Sequence, residues 1–454
     1  MMKIFSRQLL YALIVGLGSF TFGNVVAYPS PTAEEIRKLH NLTMSSLEWS
    51  FYSGAMALTA ITGPFISGGL LKFFQGSRKK TCFVLSIACT ACWLLNIITK
   101  LNIWAGIVAR ALLGFVIGAY SSITPMFLVE VAPEGMTGFY GSLNQFFLIT
   151  ASMLINFLGP SLNFIKLSIY CACYPLLECF LIWLVPEKQA AKYHQFNDVE
   201  ISPNSSSNAN TNNNYINNKQ NVSEISNTSQ LNDNREFKEV FCQSKNMPLL
   251  FIGIFMMIFQ QFVGISAVVT NLADLMKESG LNLHHCYQAG IIQSAQLLAG
   301  VFSGLFVDKI GRKKMWCISG AIIVIFLLLF VLNNHFDWAN ILPLIAIYMY
   351  EFGFGIGLGP IPWYVIPEYF DYQNRPVAMG ICSAVNWSCT FAIIFVWPLM
   401  RDGLGMLGSF VFFMSVGFVS FIFGVVFIKE PGKKGERDVS TPMTSELINE
   451  SFNS

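Results

Sequence analysis

The chain has 454 residues, of which 54% are apolar, only 12% are charged and 41 are Phe. Soluble domains carry roughly 25% charged residues, so a water-solvated globule is excluded and a lipid-solvated chain is indicated. The net charge of +2 comes from cations scattered in short groups, which leaves no basic patch for a nucleic acid.

A bilayer core about 30 Å thick takes about 20 apolar residues per helix, and twelve such runs follow one another. The first, Gln8 to Ala27, follows Lys3 and Arg7. It is longer than the usual 7–15 apolar residues of a signal peptide, so a retained helix is expected. Next comes a loop with the sequon Asn41-Leu42-Thr43, a glycosylation candidate at Asn41. The second span, Ser50 to Leu71, ends in "GSRKK" at Gly76 to Lys80. The third, Thr81 to Thr99, holds Cys89-x-x-Cys92 with no His at zinc spacing, which reads as small apolar residues and not as a metal or redox site. The fourth, Ile103 to Pro125, carries Arg110; the fifth, Phe139 to Gly159, Gln145; the sixth, Leu167 to Val185, Glu178. A segment containing "SPNSSSNANTNNNYINNKQNVSEISNTSQLNDN" then has too few large apolar residues to offset the entropy of ordering, and reads as a disordered linker.

The seventh span, Pro248 to Leu272, carries the adjacent Gln260 and Gln261 and then Ser266. The eighth, Gln288 to Val307, holds Gln293 and runs into "VDKIGRKK". The ninth is Met315 to Asn333, and the tenth, Ile341 to Ile366, contains "GFGIGLGPIPW". The eleventh, Val377 to Met400, holds Asn386, and the twelfth is Gly405 to Ile428. With both termini inside, 21 of the 28 Lys and Arg fall in the inner segments and 6 in the outer ones, as the positive-inside rule requires. "GSRKK" after span 2 and "DKIGRKK" after span 8 then occupy equivalent places. Six helices are thus expected to be duplicated: an all-α membrane fold with halves at 1–186 and 247–428, a cytoplasmic linker at 187–246 and a cytoplasmic tail at 429–454.

An ordered set of motifs carries a resemblance. It comprises "GLFVDKIGRKK", "VPE" at Val185 to Glu187, "QQFVGIS" at Gln260 to Ser266, "GPIPW" at Gly359 to Trp363, "PEYF" followed by Arg375-Pro376, and "NW" at Asn386-Trp387. Arg110, Gly114 and Gly118, "EVAP" at Glu130 to Pro133 and "GSLNQ" at Gly141 to Gln145 extend it over nearly the whole chain except linker and tail. The sequence resembles the sugar porter family of the major facilitator superfamily, near the facilitative hexose carriers and their trehalose-transporting relatives. The resemblance implies a twelve-helix, plasma-membrane carrier of a small neutral sugar that works by alternating access. It implies no enzyme activity, cofactor, metal or nucleic-acid partner, and a monomer in the bilayer is expected.

A sugar is neutral and dense in hydroxyls, so its carrier must replace water with groups that donate and accept hydrogen bonds, as side-chain amides do. Gln145, Gln260, Gln261, Gln293 and Asn386 are such groups in apolar spans, where an unpaired polar group is costly. With Ser266 and Trp363 they form the expected sugar site; the plainer alternative is that they bond neighbouring helices and that Trp363 anchors at the interface. Gly359, Pro360 and Pro362 break the tenth helix and make a gate. Asp308, Arg312, Lys313, Glu368 and Arg375, with Glu130 and Glu187 in the first half, stand at inner helix ends as a charged switch. In the resembled family these groups pair when the cavity faces out. The loop after span 2 lacks the usual acid, and Thr137 stands where that family commonly has Arg, so a depleted first-half cluster is expected. Ser266, Gln293 and Gly355 replace the family's usual Asn, Asn and Glu. No acid lies between Gln8 and Tyr28, where proton-coupled members keep one, so facilitated diffusion is expected. The alternatives are a proton symporter using Glu351 or Glu178, a carrier of another organic solute, and a sugar sensor.

Overall fold

A computed structural model describes residues 2–133, 137–186, 246–277, 281–370 and 375–430. Nearly all of the expected linker and tail lies outside them. Every regular element among the described residues is helical. Among the described residues ten helices are long and apolar enough to cross a bilayer, and a pair bent by 44° makes an eleventh. One of the ten, 377–427, has 51 residues. At 1.5 Å per residue that is about 75 Å of helix, too long for one crossing of about 30 Å. It breaks at Gly405, where φ is 71°, into two spans. The chain is therefore a twelve-span, multi-pass membrane protein.

The spans are α1 (Met2–Ala27), α2 (Leu47–Ala60 with Gly63–Phe73), α3 (Arg78–Asn96), α4 (Ile103–Val131), α5 (Thr137–Leu158) and α6 (Phe164–Leu181). After the linker come α7 (Asn246–Phe262 with Ile265–Thr270), α8 (His285–Ile310), α9 (Arg312–Phe336) and α10 (Leu342–Ile356 with Ile361–Tyr369). α11 and α12 are the parts of Arg375–Phe427 before and after Gly405. Two features were not expected from hydropathy. α2 bends where Gly63 meets Gly118 of α4 so closely that a Cβ on Gly63 would lie 2.0 Å from the Gly118 carbonyl carbon; small residues let membrane helices approach in this way. The loop between α1 and α2 folds into a further helix, Pro29–Leu39, with Pro at its first position and Ala33 and Ile36 buried.

The duplication is visible in the packing. α1 packs on α5, α2 on α4 and α3 on α6, while α7 packs on α11, α8 on α10 and α9 on α12. Each half buries its own aromatic core, with Trp49, Trp93 and Tyr120 in the first and Trp316, Trp397 and Phe413 in the second. Trp387 of α11 crosses over: it packs with the first half's core, its ring 5.6 Å from Phe22. The halves meet along α2 with α11 and α5 with α8. Large apolar side chains within the spans, such as Leu94 and Phe180, point outward, as suits a surface whose solvent is lipid.

Candidate functional site

α7 cannot run straight through "QQFVGIS". Gly264 has φ 96°, and a Cβ there would lie 2.4 Å from the Phe413 ring. An L-residue pays roughly 1–2 kcal/mol for that left-handed backbone even without the clash. The chain therefore breaks at glycine and restarts at Ile265, which brings Ser266 Oγ to donate to Gln261 Oε1 at 2.5 Å. From α11, Asn386 Nδ2 donates to Gln260 Oε1 at 2.6 Å, and Gln261 Nε2 donates to Asn386 Oδ1 at 3.3 Å. Gln260, Gln261 and Asn386 are all buried. Four of the expected site residues thus form one uncharged cluster in which each amide both donates and accepts.

The cluster reaches the break in α10. Residues 357–360 leave the helix, and the prolines at 360 and 362 supply no N–H. The carbonyls freed by the break are taken up by Gln260, whose Nε2 donates to Leu358 O at 3.1 Å and Gly359 O at 2.5 Å. On the other side the Leu358 N–H donates to Ser319 Oγ at 2.9 Å, and that hydroxyl donates to Gly353 O at 2.6 Å. Broken backbone at membrane depth thus finds its hydrogen bonds within the protein, with Gly357 and Leu358 buried and Gly359 and Pro360 half-buried. Gly357 lets the break press onto α9, since a Cβ there would lie 2.6 Å from Met315 O. Ser319 was not among the expected residues; its signal is a hydroxyl beside Gly320 in an otherwise apolar span.

Other expected sugar ligands stand apart. No hydrogen bond joins Gln145, Gln293 or Trp363 to the cluster. Gln145 is half-buried, and its neighbour Asn144 is the one that bonds, accepting from Ser19 Oγ of α1 at 2.6 Å. Gln293 is buried with Nε2 unpartnered, and Trp363 is exposed. Trp387 is the buried indole beside the cluster, its Nε1 also unpartnered. The "NW" dipeptide already contained it.

Charges inside the spans are few. Arg110 is fully buried and donates to Val25 O at 2.9 Å and Tyr52 O at 3.4 Å, with the Tyr28 and Tyr52 rings within 6.0 Å. Its partners are carbonyls and rings, not an acid. Glu178 accepts from Tyr120 Oη at 2.8 Å, and Glu351 accepts from Gln296 Nε2 of α8. Both acids are buried without a cation partner.

On the face that carries the termini, Arg312 Nη2 pairs with Glu368 at 3.1 Å. Glu430 receives the N–H groups of Arg312 at 3.1 Å and Lys313 at 2.8 Å, neutralising the exposed donors at the start of α9. Gly311 makes room for that carboxylate, with φ 96° and a would-be Cβ 2.6 Å from Glu430 Oε1. Lys313 therefore joins the cluster through its backbone and not through the expected ammonium. Glu430 was missed, although "KEP" at Lys429 to Pro431 puts an acid beside a proline just after the last span, as "VPE" at Val185 to Glu187 does after the sixth. The first-half cluster is less depleted than expected, because Glu130 pairs with Arg78 at 2.5 Å. Glu187 and the side chains of Asp308 and Arg375 lie outside the described residues.

On the opposite face Asn41 and Thr43 are exposed, with Asn41 at φ 53° in a turn. His284, His285 and Cys286 bring three potential ligand atoms within 4.8 Å. The two imidazoles are stacked 4.2 Å apart at 25°, and His284 Nδ1 already accepts from the Cys286 N–H. Lone pairs of near-parallel rings do not converge on one point, so no metal is assigned.

A family profile described as "Sugar (and other) transporter" matches residues 11–435. Facilitated trehalose transporter Tret1 of Bombyx mori is 26% identical over 450 residues, which cover 96% of this chain and 87% of the relative. Tret1 of Apis mellifera ligustica is 26% identical over 448 residues, covering 94% and 86%. Among solved structures, a D-xylose-proton symporter superposes with TM-score 0.74 at 20% identity, covering 93% of this chain and 98% of that one. The partially occluded inward-open conformation of the xylose transporter XylE from E. coli gives 0.72 at 20%, covering 94% and 99%. At such identity the likeness is one of fold.

Proposed function

The chain belongs to the sugar (and other) transporter family, and from that premise we propose that this membrane carrier moves a hexose or small disaccharide by facilitated diffusion across the plasma membrane, with both termini cytoplasmic. The observation that carries the substrate class is the uncharged cluster of Gln260, Gln261, Ser266 and Asn386, hydrogen-bonded into the break of α10. A hydroxyl-rich ligand can exchange hydrogen bonds with those amides one for one, whereas an organic ion would leave its charge unpaired. The relatives named for facilitated trehalose transport make trehalose and glucose the first sugars to try. Facilitated diffusion is supported by Arg110, the buried cation, which is held by carbonyls of α1 and α2 and has no acid to exchange a proton with.

The cytoplasmic position of the termini is supported by the bias of Lys and Arg toward that side. Exposed Asn41 on the opposite face then becomes a site for an N-glycan. Radiolabelled glucose and trehalose, with an organic cation and anion alongside, are to be offered to vesicles containing the full chain. Saturable sugar uptake that equilibrates and survives a protonophore is expected. Uptake of an ion but no sugar overturns the substrate class, and sugar binding without uptake makes the chain a sensor. A second reading rests on Glu351, buried against Gln296 without a cation. Accumulation that a protonophore collapses favours it, and Glu351→Gln is then the variant that uncouples sugar from protons.

A further inference from the structure

On the face opposite the termini the two halves are joined by charges. The helix Pro29–Leu39 is bound to the first half, where Glu35 Oε2 accepts the Phe164 N–H at 2.7 Å and a His40 ring nitrogen meets Thr99 O at 2.6 Å. From this helix Arg37 reaches the second half with both arms: Nη1 donates to Asp274 Oδ2 at 2.7 Å and Nη2 to Asp274 Oδ1 at 3.0 Å. Their side chains are only 15% and 10% exposed. Glu34 receives Lys277 Nζ at 2.9 Å, and Ser30 Oγ accepts the Ala273 N–H at 3.0 Å. The three second-half partners lie in one short helix, Leu272–Lys277, the continuation of α7 beyond Gly264. A cavity of about 160 Å³ at this seam is lined by Arg37, Met44, Asp274, Lys277 and Arg401.

The segment after Gly264 is held at two places. Near its start Ser266 holds Gln261 of the amide cluster, and near its end Asp274 holds Arg37 of the other half. Any motion that parts the halves on this face must break the Arg37–Asp274 fork, because the helix carrying Arg37 stays bonded to the first half. The fork is bidentate and largely shielded from water, the geometry in which an arginine–carboxylate pair is strong and not merely decorative.

We propose that the helix Pro29–Leu39 is a strap over the outer mouth, and that Arg37–Asp274, seconded by Glu34–Lys277, is the latch that keeps the outside closed and opens to admit sugar. This deepens the carrier reading and rests on its orientation. The strap places part of the outer gate in the loop between α1 and α2. The segment after Gly264 connects the latch to the amides, so a sugar that rearranges Gln261 and Ser266 acts on the latch through one short piece of chain.

The seam contains its own reporter. Cys286 at the start of α8 is 2% exposed, and its sulfur lies 3.5 Å from the place a Cβ on Gly159 of the first half would take, beside Pro31 of the strap. The test is the rate at which a membrane-impermeant maleimide labels the full-length protein, in intact cells and in inside-out vesicles, with Cys286→Ser identifying the signal. In cells the wild type labels slowly. Arg37→Ala is expected to raise the Cys286 rate about tenfold, Lys277→Ala less, and the exchange Arg37→Asp with Asp274→Arg to restore slow labelling. Unchanged rates in both single variants overturn the latch. A rise that the exchange fails to reverse also overturns it, since loosened packing would behave in that way. Acceleration confined to inside-out vesicles keeps the latch and overturns the orientation. Lys277 is exposed enough for its alanine variant to reach the surface if the Arg37 variants do not.

Discussion

Gln260 uses its two ends for different tasks. Its oxygen accepts from Asn386 within the amide cluster, and its NH2 ties down the carbonyls of Leu358 and Gly359 at the break of α10. Gln261 bonds only within the cluster and to Ser266. Truncating each should therefore have different kinetics. Gln261→Ala is expected to weaken sugar binding about five- to tenfold with little change in turnover, since a net hydrogen bond is worth about 1 kcal/mol. Gln260→Ala should weaken binding and also lower the maximal rate, because it orphans buried carbonyls at a cost of about 1–3 kcal/mol. Equal effects of both variants on KM alone, measured by initial-rate uptake, would remove Gln260 from the gate. At the outer strap, hydrogen bonds from Lys38 and then Lys277 lower the Glu34 carboxyl from 4.5 to about 2. A depressed acid contributes its stabilisation above its unfolded pKa and loses it as pH falls through the folded one. The difference in Tm between wild type and Glu34→Gln should thus be constant above about pH 5 and shrink from there toward pH 2. A difference that persists unchanged at pH 2 would mean that Glu34 is not held by those lysines.

Two spans are defined by where they break. The break in α10 was legible from "GFGIGLGPIPW", because proline removes donors wherever it stands in a helix. The break in α7 was not, because a single Gly264 between apolar residues is compatible with a straight helix; the Phe413 ring packed against it decides. Gly264→Ala is expected to cost at least the roughly 1–2 kcal/mol of a left-handed L-residue, and more from the clash. A Tm within a degree of wild type would show that the break is not needed. The start of α9 is held by Glu430 below its first N–H groups and by Arg312 reaching Glu368 on α10. Arg312→Ala should slow the inward/outward cycle more than it weakens sugar binding, and Glu430→Gln should do the same more mildly, since an amide still accepts but carries no charge. Loss of binding alone, read by comparing equilibrium exchange with net uptake, would make these residues ligands and not a switch.

At the scale of the whole molecule the duplication organises everything else. Equivalent helix pairs pack in both halves, and the basic loops after α2 and α8 stand at equivalent places on the termini face. The carrier is expected to equilibrate glucose or trehalose without accumulating it, with an initial rate unaffected by a protonophore and varying less than about twofold between pH 5.5 and 7.5, because Arg110 has no acid partner to titrate. The sequence by itself determined the number of spans, the repeat and the identity of the amides. Apolar runs of about 20 residues have no other place than a bilayer, and a side-chain amide in such a run must find a partner. Which amides meet was decided only by the tertiary structure. Gln260, Gln261 and Asn386 converge while Gln293 and Gln145 stay apart, because a hydrogen bond depends on helix rotation and crossing, which the order of residues does not contain. The same holds for charge. Arg37 and Asp274 lie 237 residues apart in short helices of opposite halves, and Glu430 caps a helix 118 residues before it. Sequence spacing predicts i to i+4 partners such as Glu34 and Lys38, whereas pairs between elements exist only once the halves have packed and shielded them from water.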